Sequence, residues 1–215
     1  VWNQYGKQRI QTTLAKPEEQ IKNIWMLTRE YGNLAGAGGV RDVVCQLAET
    51  LARWTARSLN VVLPLYGFLD AQALGFRPLP DPLSRDIPLR LRIDMHLPDS
   101  LVSEEVCYFH KKINKVNIYL VDAKRFREKS AVYTYTEKDE REQSWQKKAM
   151  GHHDYFAMNL LHQKAALDLM VGLGETPDVI HCHDGHTAIL PALIRETPGY
   201  RCYFRWTGCL VTIHN

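Results

Sequence analysis

Ile24-Trp25-Met26-Leu27-Thr28-Arg29-Glu30-Tyr31 runs into Gly32-Asn33-Leu34-Ala35-Gly36-Ala37-Gly38-Gly39 and then Val40-Arg41-Asp42-Val43-Val44, and the stretch changes character twice. A short apolar run reads as a buried strand, and the glycines that follow break it. From Val40 onward, Val43, Val44, Leu47, Leu51 and Trp54 recur at three-and-four spacing, which predicts one apolar face of a helix. Val61-Val62-Leu63-Pro64-Leu65 then supplies a second buried strand. Strand, glycine loop, helix and strand make a βαβ unit, which joins parallel strands by a right-handed crossover.

Further along, the residues from Phe68 to about Asp99 are rich in Pro and Arg and show little periodicity. Val106-Cys107-Tyr108-Phe109 and Val116-Asn117-Ile118-Tyr119-Leu120-Val121 predict a hairpin across an Asn-containing turn. The charged run 137–148 predicts a solvated helix or loop. A long amphipathic helix is expected over 155–171, with Phe156, Leu160, Leu167 and Met170 available for burial and Asp154 as its N-terminal cap. A strand at 178–181, a helix at 187–196 with Pro191 in its first turn, and a strand at 209–213 close the chain. The alternation predicts an α/β fold, a Rossmann-like open and mostly parallel sheet with flanking helices.

Composition narrows the function classes. The 215 residues carry a net charge of +3, are 45% hydrophobic and 24% charged, and intersperse basic with acidic side chains, as in Lys138-Asp139-Glu140-Arg141-Glu142. Nothing there suggests a nucleic-acid or membrane partner. No apolar run approaches the roughly 20 residues that span a bilayer. Cys45, Cys107, Cys182, Cys202 and Cys209 form an odd set without a CxxC pair, which favours reduced thiols and a cytoplasmic location. The absence of an initiating Met and the abrupt end at Asn215 are read as marks of an excised piece, with residues 1–22 a lead-in segment.

Two constellations could carry chemistry. Gly36-Ala37-Gly38-Gly39 lies between a strand and a helix, where backbone N–H groups and the positive end of the helix dipole converge on an anion. A plain tight turn explains the same glycines equally well. The dinucleotide pattern G-x-G-x-x-G is not met, since Asp42 does not supply its glycine. His181-Cys182-His183-Asp184-Gly185-His186 stands at the carboxyl end of a strand, the edge where open α/β sheets bind ligands. Its imidazoles read as a metal site, as buried hydrogen-bonded histidines, or as part of a catalytic edge. Thr212-Ile213-His214-Asn215 ends the last strand, so His214 and Asn215 should emerge on the same edge as Asp184.

Taken in order, these segments resemble the catalytic region of bacterial glycogen synthases and plant starch synthases. The matching stretches are Arg29-Glu30-Tyr31 through Val44, Val62-Leu63-Pro64-Leu65-Tyr66-Gly67, Val116 through Asp122, Pro177-Asp178-Val179-Ile180-His181-Cys182-His183-Asp184, and Thr212-Ile213-His214-Asn215. The resemblance implies the amino-terminal half of a GT-B fold over residues 23–215, with the active site shared with a carboxy-terminal domain. It further implies retaining transfer of glucose from ADP-glucose or UDP-glucose to the non-reducing end of an α-1,4-glucan, with no metal or other cofactor. Its expected partners are the nucleotide sugar, the α-glucan acceptor and the chain's own missing domain.

Residue by residue, the resemblance makes Asp184 and His214 catalytic. It places Gly38, Gly39, Asp42 and Asn215 against the nucleotide sugar. The chain departs from the family's K-x-G-G motif, with Gly36 for lysine, and from its D-W-H triplet, with Gly185 for tryptophan. A noncatalytic glucan-binding or regulatory homologue and a metal-dependent hydrolase are the competing classes.

Overall fold

A computed structural model describes residues 21–54 and 57–214. Most of the lead-in segment and Asn215 therefore lie outside the described residues. Eight strands form one mixed sheet: β1 (Asn23–Leu27), β2 (Ser58–Pro64), β3 (Arg77–Pro78), β4 (Arg90–Leu97), β5 (Ser100–Ile113), β6 (Val116–Asp122), β7 (Val179–His183) and β8 (Gly208–Thr212). Its path is β3-β5-β6-β2-β1-β7-β8, with β4 paired to β5 off the path. The five strands β6, β2, β1, β7 and β8 are mutually parallel. Chain order runs outward from β1 in one direction and resumes with β7 on its other side. The crevice at the carboxyl ends of β1 and β7 is thus the topological switch point, where α/β sheets bind ligands.

Parallel strands need apolar residues on both faces. Trp25, Met26 and Leu27 of β1 and Leu59, Val61, Val62 and Leu63 of β2 have no solvent exposure. Trp25 stacks on Tyr119 of β6 at 5.1 Å between ring centroids. The first helix, α1 (Val40–Trp54), packs on β2 and β6. Its buried stripe is Val44, Ala48 and Ala52, while Val43, expected on that face, is exposed.

The long helix α4 (Tyr155–Leu173) lies against β4, β2 and β6. It is buried nearly all round its middle rather than on one face, because sheet and neighbouring helix cover it from several sides. Phe156, expected to be buried, is exposed. Asp154 stands at the N-cap position but makes no side-chain cap bond. Its carboxylate instead pairs with Lys129 at 2.9 Å and Arg125 at 2.7 Å, and two cations outweigh the helix amides.

Four shorter helices complete the described elements: α2 (Lys124–Arg127), α3 (Glu137–Glu142) and, as a pair near the end, α5 (Leu190–Glu196) and α6 (Pro198–Tyr203). The charged run opens with a capping box in which Thr136 and Asp139 satisfy each other's backbone amides. Pro191 falls in the first turn of α5, which starts three residues later than its periodicity suggested. The region read as aperiodic contains β4, whose Ile93 and Met95 are fully buried between exposed Arg92 and Asp94. No described helix is long and apolar enough to cross a membrane. The five cysteines are unpaired.

Candidate active-site edge

The carboxyl end of β7 delivers Asp184 in a left-handed conformation, φ +65°, uncommon for a residue with a side chain and worth reading as a constraint. Two hydrogen bonds hold it there. Its amide donates to the carbonyl of Thr212 on β8 at 2.8 Å, and its Oδ1 accepts from the amide of His214, also at 2.8 Å. Asp184 and His214, thirty residues apart in sequence, are therefore clamped together. Asp184 Oδ2 has no hydrogen-bond partner among the described residues and is the oxygen left for a ligand.

His183 reaches the same place from the other side. Its Nδ1 lies 3.0 Å from His214 Nε2, and the rings stack with centroids 5.3 Å apart. One imidazole donates and the other accepts, so the pair shares a single proton across that contact. Burial, followed by repulsion from His181 and His214, pushes the His183 pKa down to about 3. His183 is therefore neutral near pH 7. His181 bonds Thr212 Oγ1 at 2.7 Å, whereas His186 stacks on Tyr133 and meets Tyr155 edge-on. No group of three His, Cys, Asp or Glu able to hold a metal ion exists among the described residues. His181 and His183 stay together, with ring centroids 4.0 Å apart, while His186 turns away to the two tyrosines, so the cluster of the sequence does not converge as one ligand set.

The glycine loop after β1 is already filled from within. Glu30, only 1% exposed, accepts the amides of Ala37 at 2.7 Å and Gly38 at 3.0 Å on Oε2, and the Tyr133 hydroxyl on Oε1. An internal carboxylate occupies the nest that a phosphate would otherwise find at those two amides. Space remains outside it. A Cβ on Gly38 or Gly39 would meet nothing within 4 Å, so a ligand can approach the backbone there. The Asp42 and Val43 amides donate to the Gly39 carbonyl at 3.1 and 3.2 Å, which leaves the Val40 and Arg41 amides of the first turn of α1 without a helical acceptor. Asp42 is exposed in that turn and pairs loosely with Arg41 at 3.6 Å. At Gly36 the side chain of Arg41 folds back across the loop; a Cβ on residue 36 would lie 2.2 Å from Arg41 Cδ.

Beneath the loop sits Arg29, 2% exposed. Its guanidinium donates to Tyr66 Oη at 3.1 Å, Asn159 Oδ1 at 3.3 Å and the Val132 carbonyl, and lies over the rings of Tyr133, Tyr155 and Tyr66. Burial, and after it repulsion from this buried cation, push the His186 pKa down to about 4. The roles of Arg29 and His183 were not read from the sequence, since each depends on partners far away along the chain, and that of Glu30 was missed although two of its partners, the Ala37 and Gly38 amides, are close in sequence. Asp184 and His214 come together at the edge, Gly38, Gly39 and Asp42 flank the adjoining strand end, and Asn215 lies outside the described residues.

A mostly parallel open sheet with flanking helices and a polar, histidine-rich crevice at its switch point is an α/β ligand-binding architecture. The chain belongs to the starch synthase catalytic domain family, whose model matches residues 23–215. It is 26% identical over 192 residues to a glycogen synthase of Geotalea uraniireducens, covering 89% of this chain and 34% of that protein. It is 28% identical over 178 residues to a glycogen synthase of Lactobacillus acidophilus, covering 83% and 31%. The structure superposes on the catalytic domain of starch synthase IV from Arabidopsis thaliana, bound to ADP and acarbose. That match has a TM-score of 0.59 at 18% identity and covers 92% of this chain and 34% of that one. The fold is thus that of the GT-B starch synthases, and the chain spans about a third of the length of the relatives it matches.

Proposed function

We propose that this chain forms one wall of the cleft of a glycogen or starch synthase, an enzyme that transfers glucose with retention from ADP-glucose or UDP-glucose to the end of an α-1,4-glucan. The observation that carries the reading is the Asp184–His214 clamp at the switch point. In it, Asp184 Oδ2 and the His214 ring hold glucosyl hydroxyls beside the anomeric carbon. Preorganised polar groups there stabilise charge as the bond to phosphate lengthens, without reorganising during the reaction. Gly39, the first turn of α1 and Arg41 receive the donor diphosphate, Asp42 and Asn215 flank it, and Arg41 supplies the cation that lysine provides elsewhere in the family. The remaining cations and the grip on the base come from a second domain, and no metal or cofactor takes part.

The test is glucose incorporation into glycogen, with either donor, by the full-length protein and by the 215-residue chain alone. Transfer by the former and none by the latter is expected. Elongation by the isolated chain would remove the second domain from the mechanism, and no transfer by either protein would favour a noncatalytic glucan-binding homologue, the reading that Gly36 in place of lysine motivates.

A further inference from the structure

His183 is the last residue of β7, and side chains alternate along a strand, so its ring stands on the same face of the sheet as that of His181 two positions before it. In the register of β7 and β8 it lies opposite Thr212, which brings His214, two residues further on, to its side. A ring at a strand end is ordinarily open to water. This one is only 2% exposed, with the His181 ring packed against it at 4.0 Å between centroids. Its plane is inclined by 18° to that of His214, and 5.3 Å separates the centroids against 3.0 Å between His183 Nδ1 and His214 Nε2, so the two rings meet at their nitrogen edges.

One proton lies in that contact, and the far side of His183 decides which ring owns it. A neutral imidazole has one N–H and one lone pair, and burial keeps His183 neutral near pH 7. His183 Nε2 is buried and has no hydrogen-bond partner. Were His214 the donor, His183 would have to carry its proton on that nitrogen, as a buried N–H with no acceptor. Orphaned donors of this kind are rare in folded proteins, and an unpaired lone pair is met more often. The proton therefore belongs on His183 Nδ1, which donates to His214 Nε2. His214, its Nε2 engaged as an acceptor, then carries its own proton on Nδ1, a nitrogen without a hydrogen-bond partner among the described residues.

We propose that His183 is a positioning residue that fixes the ring orientation and tautomer of His214, so that His214 meets the ligand as a hydrogen-bond donor through Nδ1–H. The hydrogen bond made by one ring nitrogen sets what the other can do. Asp184 already holds the His214 backbone through its amide, and His183 holds its side chain. The clamp thereby offers one fixed acceptor, Asp184 Oδ2, and one fixed donor, His214 Nδ1–H. A sugar hydroxyl gives and takes hydrogen bonds in just this way. The inference rests on the glucosyltransferase reading for the reaction that the donor serves.

The test joins kinetics to spectroscopy on the full-length protein. His183→Leu removes the donor together with the orphaned nitrogen. Its kcat for glucose transfer should fall roughly tenfold, the size of one ordinary hydrogen bond lost in the transition state, while the acceptor KM and the urea midpoint hold. His183→Asn places an amide N–H where the imidazole has Nδ1, and should restore most of the rate. In solid-state NMR of protein labelled with 15N-histidine, the Nε2 resonance that disappears in His214→Asn should have the shift of an unprotonated, pyridine-type nitrogen. A wild-type kcat in His183→Leu, with or without a lowered urea midpoint, would make His183 a packing residue only and overturn the inference. A protonated His214 Nε2 would overturn it as well, and glucose transfer by that same protein would leave the synthase reading standing. No transfer by the wild type, with Nε2 unprotonated, would sink the synthase reading and keep the assigned tautomer.

Discussion

Arg41 crosses Gly36 with its stem where another side chain would begin, and its guanidinium remains at the mouth of the glycine loop. If it supplies the cation for the donor diphosphate, Arg41→Ala in the full-length protein loses a charge-assisted contact of about 1.5–3 kcal/mol. Steady-state kinetics should show this as a donor KM raised by an order of magnitude or more, with the acceptor KM untouched. An unchanged donor KM would leave Arg41 a surface residue. The histidines make a separate prediction. Burial holds His162 and His183 near 3 and His186 near 4, against an ordinary value of 6.5. As pH falls below 6.5 the unfolded chain takes up protons that the folded chain refuses, so stability is lost on acidification, from about pH 6.5 toward 4. Near pH 5 roughly two to three protons should be bound on unfolding. Denaturant midpoints measured from pH 7 to 4.5 should fall steeply, and a flat profile would contradict the burial of these rings. Which histidines would behave this way was not legible from the run at 181–186, because the partner of His183 stands 31 residues away at His214.

The hairpin of β5 and β6 turns in two residues, Asn114 and Lys115, with φ of 47° and 72°. Both lie in the left-handed region that such two-residue turns require, which suits Asn and penalises Lys. Lys115→Gly should stabilise the protein by about 0.5–1 kcal/mol after the greater freedom of glycine in the unfolded chain is allowed for. A higher urea midpoint at unchanged slope would show it, and a lower midpoint would mean that Lys115 makes contacts worth more than its strain. This hairpin, the βαβ unit and the strand at β7 were readable because local pattern and final burial agree. β4 was not, although Leu91, Ile93, Met95 and Leu97 alternate with polar residues. Surrounding Pro and Arg concealed a period-two signal that only its pairing with β5 makes decisive. Asp154 misled in the opposite way. Its position before a helix satisfies the capping pattern, but Lys129 and Arg125 claim its carboxylate through the tertiary fold.

At the scale of the molecule, the sheet places Glu30 and the glycine loop after β1, Asp184 after β7 and His214 after β8 along one carboxyl edge. On the proposed function, donor site and transfer point follow one another along that edge. The segment order made the edge legible from the sequence. The pairing of His183 with His214 became visible only once β7 and β8 were brought together. The most direct test of this account is the rate of glucose transfer to glycogen by the full-length protein carrying Asp184→Asn. This near-isosteric change removes the carboxylate charge and leaves an oxygen able to accept the His214 amide. A loss of roughly 10²–10³ in kcat, with the folded stability within about 1 kcal/mol of wild type, is predicted. Transfer at the wild-type rate would contradict the placement of the catalytic edge at Asp184.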